Sequence, residues 1–165
     1  MSEINKINTL ERAAFFAGSF NPFTPGHADI VERGLRLFDR VVIGIGINDA
    51  KPDSADGAAS RLETIRVRYA AEPRVEVLIY TDLTVDAARR VGACCLLRGC
   101  RSAADFDYER NIADANRLLA PELDTVILPA RPELACISST LLRDLARHGR
   151  SLRRINHISR RLERT

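Results

Sequence analysis

No run of apolar residues approaches the roughly 18 that a membrane span needs, and the start, MSEINKINTLER, carries acidic residues and no apolar core of a signal peptide. A cytoplasmic protein with no membrane contact is therefore expected. No CxxC pair occurs among the four cysteines, Cys94, Cys95, Cys100 and Cys136, and three of them lie inside or beside an apolar run. Reduced, mostly buried thiols are expected rather than metal ligands. Lysine is nearly missing: of 25 basic residues only Lys6 and Lys51 are lysines. A compact ammonium in a polar loop, as at Lys51, can follow a moving phosphate in a way that a planar guanidinium does not. Neither GxGxxG nor GxxxxGK[ST] is present, which argues against a dinucleotide dehydrogenase and against a P-loop NTPase.

What is present is ordinary globular composition, 165 residues with 45% hydrophobic and 28% charged. A chain of this length buries about two thirds of its unfolded surface and needs no disulfide or structural metal to hold a core. The net charge of +3 is unevenly placed, because the last 16 residues hold six arginines and one acidic residue, leaving the body at 19 basic against 21 acidic. No aromatic residues interleave that tail, so it reads as a solvated helix face and not as a nucleic-acid site. With no internal repeat or linker, the division expected is a polar leader over 1–11 and a single domain over 12–165 that includes a C-terminal basic helix.

Along the chain, AAFFAGSF reads as a short buried strand running into a Gly/Asn/Pro turn, and Ile30, Val31, Leu35, Leu37 and Phe38 then recur at helical spacing. VVIGIGI is a β-branched strand, residues 48–60 a polar loop, RLETIRVRYAAE a helix and VEVLIY a third strand. The alternation continues through DLTVDAARRVG as a short helix, CCLLRG as a strand, SAADFDYERNIADANRLLA as a long helix and TVILPA as a fifth strand. TLLRDLARHG closes the pattern as a helix stopping at Gly149. Five strands separated by helices demand an α/β fold, with a five-stranded parallel sheet flanked by helices.

In open α/β sheets ligands bind beyond the carboxyl ends of the strands, and four such loops carry unusual residues: GSFNPFTPGH, NDAKPD, RGCRSAADFDYE and ARPELACISSTLLR. Thr24, Pro25, Gly26 and His27 enter a helix whose exposed amides and dipole favour an anion. Gly26 lets a ligand approach the backbone, and His27 adds a side-chain donor.

GSFNPFTPGH resembles the G-[ST]-F-[DN]-P…[HT]-x-G-H signature of the nucleotidylyltransferase superfamily. RGCR at 98–101, DFDYE at 105–109 and ISST at 137–140 resemble the RGxR, DFxYE and ISS[ST] motifs of the bacterial phosphopantetheine adenylyltransferases, in order over 13–149. The resemblance implies a Rossmann-like sheet and reversible transfer of AMP from ATP to 4'-phosphopantetheine, giving dephospho-CoA and pyrophosphate, with Mg2+ carried through the ATP phosphates. Residue by residue it makes His27 the transition-state stabiliser, with Lys51 and Arg98 gripping the acceptor phosphate. It also has Ser19 reaching that phosphate and Thr84 touching pantetheine. ATP contacts fall to Ser19, Phe20, His27, Gly99, Cys100, Arg101, Glu109, Leu134, Ala135, Cys136, Ile137, Ser138, Ser139 and Thr140. A homohexamer is implied, and feedback binding of coenzyme A is raised.

Other roles compete at several positions. Ser138, Ser139 and Thr140 could simply cap a helix, Glu109 could be a solvated carboxylate, Arg98 and Arg101 surface charges, and His148 and His157 surface residues. Pro25 replaces a frequent Asn, the loop after Lys51 is longer than usual and lacks a second lysine, and Leu134 stands where some family members place an aromatic. The nearest rivals are a nicotinamide or nicotinate mononucleotide adenylyltransferase and a cytidylyltransferase acting on a phosphorylated alcohol. RGxR followed by DFxYE favours phosphopantetheine over both. A non-catalytic nucleotide-binding regulator is a further alternative, but it would be free to lose His27 and Lys51, and both are present.

Overall fold

The computed structural model describes residues 11–47 and 55–151. Lys51, His157, most of the leader and nearly all of the basic tail lie outside the described residues. The chain alternates strand and helix throughout: β1 (Ala13–Gly18), α1 (Pro25–Leu37), β2 (Arg40–Gly46), α2 (Ala55–Arg68), β3 (Val75–Tyr80), α3 (Thr84–Arg90), β4 (Ala93–Cys100), α4 (Ala103–Leu119), β5 (Asp124–Pro129) and α5 (Ser139–Arg147). All neighbouring strands pair in parallel, in the order β3-β2-β1-β4-β5. This is the doubly wound, Rossmann-like arrangement, and its order reverses between β1 and β4.

Burial on both faces explains why the strands read as nearly unbroken apolar runs. Successive residues of β1 feed opposite cores. Ala14 and Phe16 join Ile30, Val31, Ile43 and Leu97 on one side, while Phe15 and Ala17 join Val42, Val85, Ala88 and Leu96 on the other.

Two expectations need correction. The polar stretch 48–60 is not loop to its end, because α2 begins at Ala55. The Asp56–Gly57 pair suggests a turn, yet the alanines around it favour helix, and Ala58 is wholly buried against the first core. The thiols are all free, but Cys94 and Cys136 are exposed, with only Cys95 and Cys100 buried. Cys94 is the extra residue where the β1/β4 register slips, between the Ala13–Ala93 and Ala14–Cys95 pairs, so it is turned out of the core. His148 is exposed, as expected.

Candidate active site

The carboxyl ends of β1 and β4 lie side by side at the point where the strand order reverses, and the loops leaving them build one site. β1 ends at Gly18, and the chain turns through Ser19 into Phe20, whose φ of 47° lies in the left-handed region that a bulky residue rarely adopts. That turn sends the Phe20 ring into the core, where it is 2% exposed, and leaves Ser19 at the surface. A Cβ on residue 18 would stand 2.9 Å from the Phe20 ring, so glycine is required there.

Helix α1 opens immediately afterwards with Thr24 as its N-cap and Pro25 at the first position. The cap is reciprocal. Thr24 Oγ1 accepts from the His27 backbone N–H at 3.2 Å, and His27 Nδ1 accepts from the Thr24 N–H at 3.0 Å, the place usually held by Glu or Gln. With Nδ1 accepting, the ring proton of the neutral imidazole sits on Nε2. Phe20 and Phe23 pack on the imidazole, with ring centroids 5.0 and 5.5 Å away. Burial, then the charges of Arg101 and Arg98, lower the His27 pKa to about 4. His27 is therefore a neutral hydrogen-bond donor at physiological pH.

From β4, Arg98 is held by three hydrogen bonds to two partners. Its Nε and Nη2 donate to the two Glu109 carboxylate oxygens at 2.6 and 2.8 Å, and Nη1 donates to the Ala17 carbonyl at the end of β1. Glu109 is buried, so it is not the solvated carboxylate of the simpler alternative. Arg101 stands at the other side of the loop with its Nε 2.9 Å from Asp105, whose own backbone N–H donates to the α4 cap residue Ser102.

Two cavities open from this junction. The first, about 370 Å3, runs from Ser19, Phe20 and His27 across Gly99, Cys100 and Arg101 to Leu134 and Ile137. The second, about 830 Å3, lies between β1, β2 and α3 and includes Tyr80, Asp82 and Thr84. Ala17, Gly18, Ser19, Arg98 and Tyr108 border both. Thr84 there shares a 3.0 Å hydrogen bond with the Tyr80 hydroxyl.

Twelve of the fourteen residues expected around ATP line the first cavity. Ala135 and Cys136 do not, because the turn over 131–137 points Leu134 and Ile137 inward instead. The hydroxyls of ISST are occupied by protein. Ser138 caps α5 by accepting from the Leu141 N–H at 3.0 Å, Ser139 donates to the Pro22 carbonyl at 2.9 Å, and Thr140 accepts from Arg143 at 3.1 Å. The α5 amino end thus turns its backbone amides toward the cavity, with the Ser138 and Thr140 hydroxyls engaged within α5 and that of Ser139 holding it against the first loop. Sequence reasoning missed Asp105 and Tyr108 as individual site residues, although both belong to the DFDYE motif that marked the segment.

Among the described residues no helix is long and apolar enough to cross a membrane, and no group of three or more acidic, His or Cys side chains is arranged to hold a metal ion.

This fold and this site define a nucleotidyltransferase, and the pattern of the cytidylyltransferase-like family matches residues 15–145. The sequence is 50% identical over 139 residues to a phosphopantetheine adenylyltransferase of Porphyromonas gingivalis, covering 84% of this chain and 90% of that one. It is 46% identical over 141 residues to one of Bacteroides fragilis, covering 86% and 93%. The chain belongs to the phosphopantetheine adenylyltransferase family. Its fold is also similar to that of a putative nicotinate-nucleotide adenylyltransferase from Vibrio parahaemolyticus, with a TM-score of 0.62 at 16% identity over 87% of this chain and 85% of that one.

Proposed function

We propose that the protein transfers AMP reversibly from ATP to 4'-phosphopantetheine, yielding dephospho-CoA and pyrophosphate, the penultimate step of coenzyme A synthesis. The observation that carries this is the pair of cavities meeting along Ala17–Ser19 and Arg98 with a neutral His27 donor beside them. ATP occupies the first cavity, with its phosphates toward the α5 amides and Arg101. Phosphopantetheine occupies the second, with its arm along Thr84 and its phosphate at Ser19 and Arg98. Lys51 adds a second charge to that phosphate.

The acceptor phosphate oxygen attacks the α-phosphorus in line, forming the new P–O bond as the bond to pyrophosphate breaks, so no protein nucleophile is needed. Catalysis then rests on placing two anions against each other and on donors aimed at the charge that develops. The His27 Nε2–H supplies one such donor to the α-phosphate without exchanging its proton. Arg98 has its orientation fixed by Glu109, so the guanidinium needs no reorganisation when the phosphate arrives. The acidic side chains of the first cavity, Asp105 and Glu109, are engaged with arginines and form no cage, a donor set that suits Mg2+ carried on the nucleotide's own phosphates, where it neutralises their charge.

A cytoplasmic location, assembly into a homohexamer and feedback binding of coenzyme A at the same cavities belong to the same proposal. The experiment is pyrophosphate release from ATP and Mg2+ with 4'-phosphopantetheine, nicotinamide mononucleotide, glycerol phosphate or no acceptor, each beside His27→Ala. Release with phosphopantetheine alone, falling by about 100-fold or more in the variant, is expected. Release with another acceptor would reassign the substrate, and nucleotide binding without any release would make the protein a regulator.

A further inference from the structure

The wall of the first cavity is backed by an ion-pair network that the chemistry itself does not use. Asp29, in the second turn of α1, is a carboxylate only 4% exposed. Its Oδ1 lies 2.7 Å from Arg131 Nε and its Oδ2 3.1 Å from Arg33 Nη1. The same Arg33 nitrogen donates to the Pro129 carbonyl at 2.7 Å. Asp29 thus ties the helix that carries His27 to the segment that follows β5, and Arg33, which it holds, ties the same helix to the last residue of β5.

None of Asp29, Arg33 or Arg131 lines the cavity, whereas Ala130, Leu134 and Ile137, on either side of Arg131, do. The segment begins pinned to β4, with the Ala130 N–H donating to the Cys100 carbonyl at 2.7 Å, and beyond Arg131 its backbone is held by short local turns, such as the Leu134 N–H to the Arg131 carbonyl at 2.9 Å. Its far end is fastened to the first loop by Ser139 on Pro22 and Arg143 on Asn21. A charge-paired clamp at the near end fixes the remaining freedom. Taking a carboxylate and two guanidiniums out of water adds little net stability, so the clamp's contribution is a defined geometry.

We propose that Asp29 and Arg131 are positioning residues for the nucleotide: their ion pair sets the 130–137 segment at a fixed height above His27, so that a nucleotide resting on Leu134 presents its α-phosphate to the imidazole. This rests on the assignment of the first cavity to ATP.

The test uses the full chain and three variants, Arg131→Ala, Arg131→Lys and Asp29→Asn, with each KM measured at saturating co-substrate and α,β-methylene-ATP affinity measured by calorimetry. Arg131→Ala is the informative change, because Asp29 keeps Arg33 and no charge is left buried alone. It should weaken ATP, by KM and by calorimetry alike, by about five- to tenfold, the range that loss of one pair in a coupled network produces. The KM for phosphopantetheine should stay within twofold, Arg131→Lys should recover most of the loss, and Asp29→Asn combined with Arg131→Ala should be no worse for ATP than Asp29→Asn alone. Unchanged ATP affinity in Arg131→Ala would overturn the proposal, as would a parallel loss for both substrates with a lower melting temperature, the sign of a merely structural pair. A rise in the phosphopantetheine KM alone would overturn the cavity assignment itself, which separates that failure from failure of the clamp.

Discussion

Because the His27 ring is buried and lies beside the charges of Arg101 and Arg98, protonating it is unfavourable, and the pKa falls from 6.5 to about 4. The consequence can be worked through at pH 5.5. An ordinary histidine would be roughly 90% protonated there, but one with a pKa of about 4 would be roughly 3% protonated. If the neutral Nε2–H is the working donor, its contribution to kcat is undiminished down to about pH 5. Substrate phosphates titrate in the same range, so the wild-type rate is best divided by that of His27→Gln. Glutamine is the usual partner in this cap, keeps both an acceptor for Thr24 and an N–H for the phosphate, and does not titrate. That ratio should be flat between pH 5.5 and 8, and the His27 Cε1–H resonance should not move above pH 5. A ratio that changes about tenfold at pH 5.5, with a midpoint near 6.5, would refute the neutral-donor reasoning. The sign for stability follows from the same shift: the unfolded chain takes up this proton near pH 6.5 and the folded one only near 4. Stability is therefore full above about 6.5 and declines as pH falls toward 4, by about 3 kcal/mol at the limit.

Three other outcomes are expected. Glu109→Gln removes the charge that orients Arg98, so the phosphopantetheine KM should rise by about tenfold with ATP affected less, and thermal denaturation should show a loss of about 1–3 kcal/mol; a selective rise in the ATP KM would restore Glu109 as a nucleotide ligand. Gly18→Ala drives a methyl into the Phe20 ring and should cost about 1–3 kcal/mol by urea unfolding, whereas a neutral result would show that the left-handed turn at Phe20 relaxes freely. Toward a thiol-specific chromogen, Cys94 and Cys136 should react first; Cys95, its thiol pushed up to about 11 chiefly by burial, should wait for denaturant, and equal rates would contradict the bulge at β4.

Strands and helices were legible wherever periodicity and composition agreed, as in VVIGIGI and VEVLIY; of the four loops predicted to carry the chemistry, those after β1 and β4 meet at the switch and the one after β5 joins them at the first cavity, while NDAKPD lies outside the described residues. The start of α2 was not legible, because Asp56–Gly57 is locally a turn signal, which the neighbouring alanines outweigh together with the burial of Ala58, a tertiary fact. At the site, the motif singled out His27 but not its tautomer, which depends on a backbone N–H three residues earlier. Glu109 lines the first cavity, and its pairing with Arg98 is a partnership that the motif did not announce. Asp29 shows the limit most clearly. Flanked by Ala28, Ile30 and Val31 it sits on a buried stripe, which is a readable anomaly, and Arg33 is a visible i,i+4 partner. Arg131 comes from the far end of the sheet, and nothing local announces the pairing.

The strip shared by the two cavities bears on how the enzyme lets go. With the ligands placed as proposed, a molecule made by joining AMP to phosphopantetheine would lie across Gly18 and Ser19 with a foothold on each side. When one end lifts, the other holds it at millimolar effective concentration, so rebinding outruns escape. On that placement, departure of the joined molecule requires both ends to detach within one brief interval, so the shared strip slows the release of product.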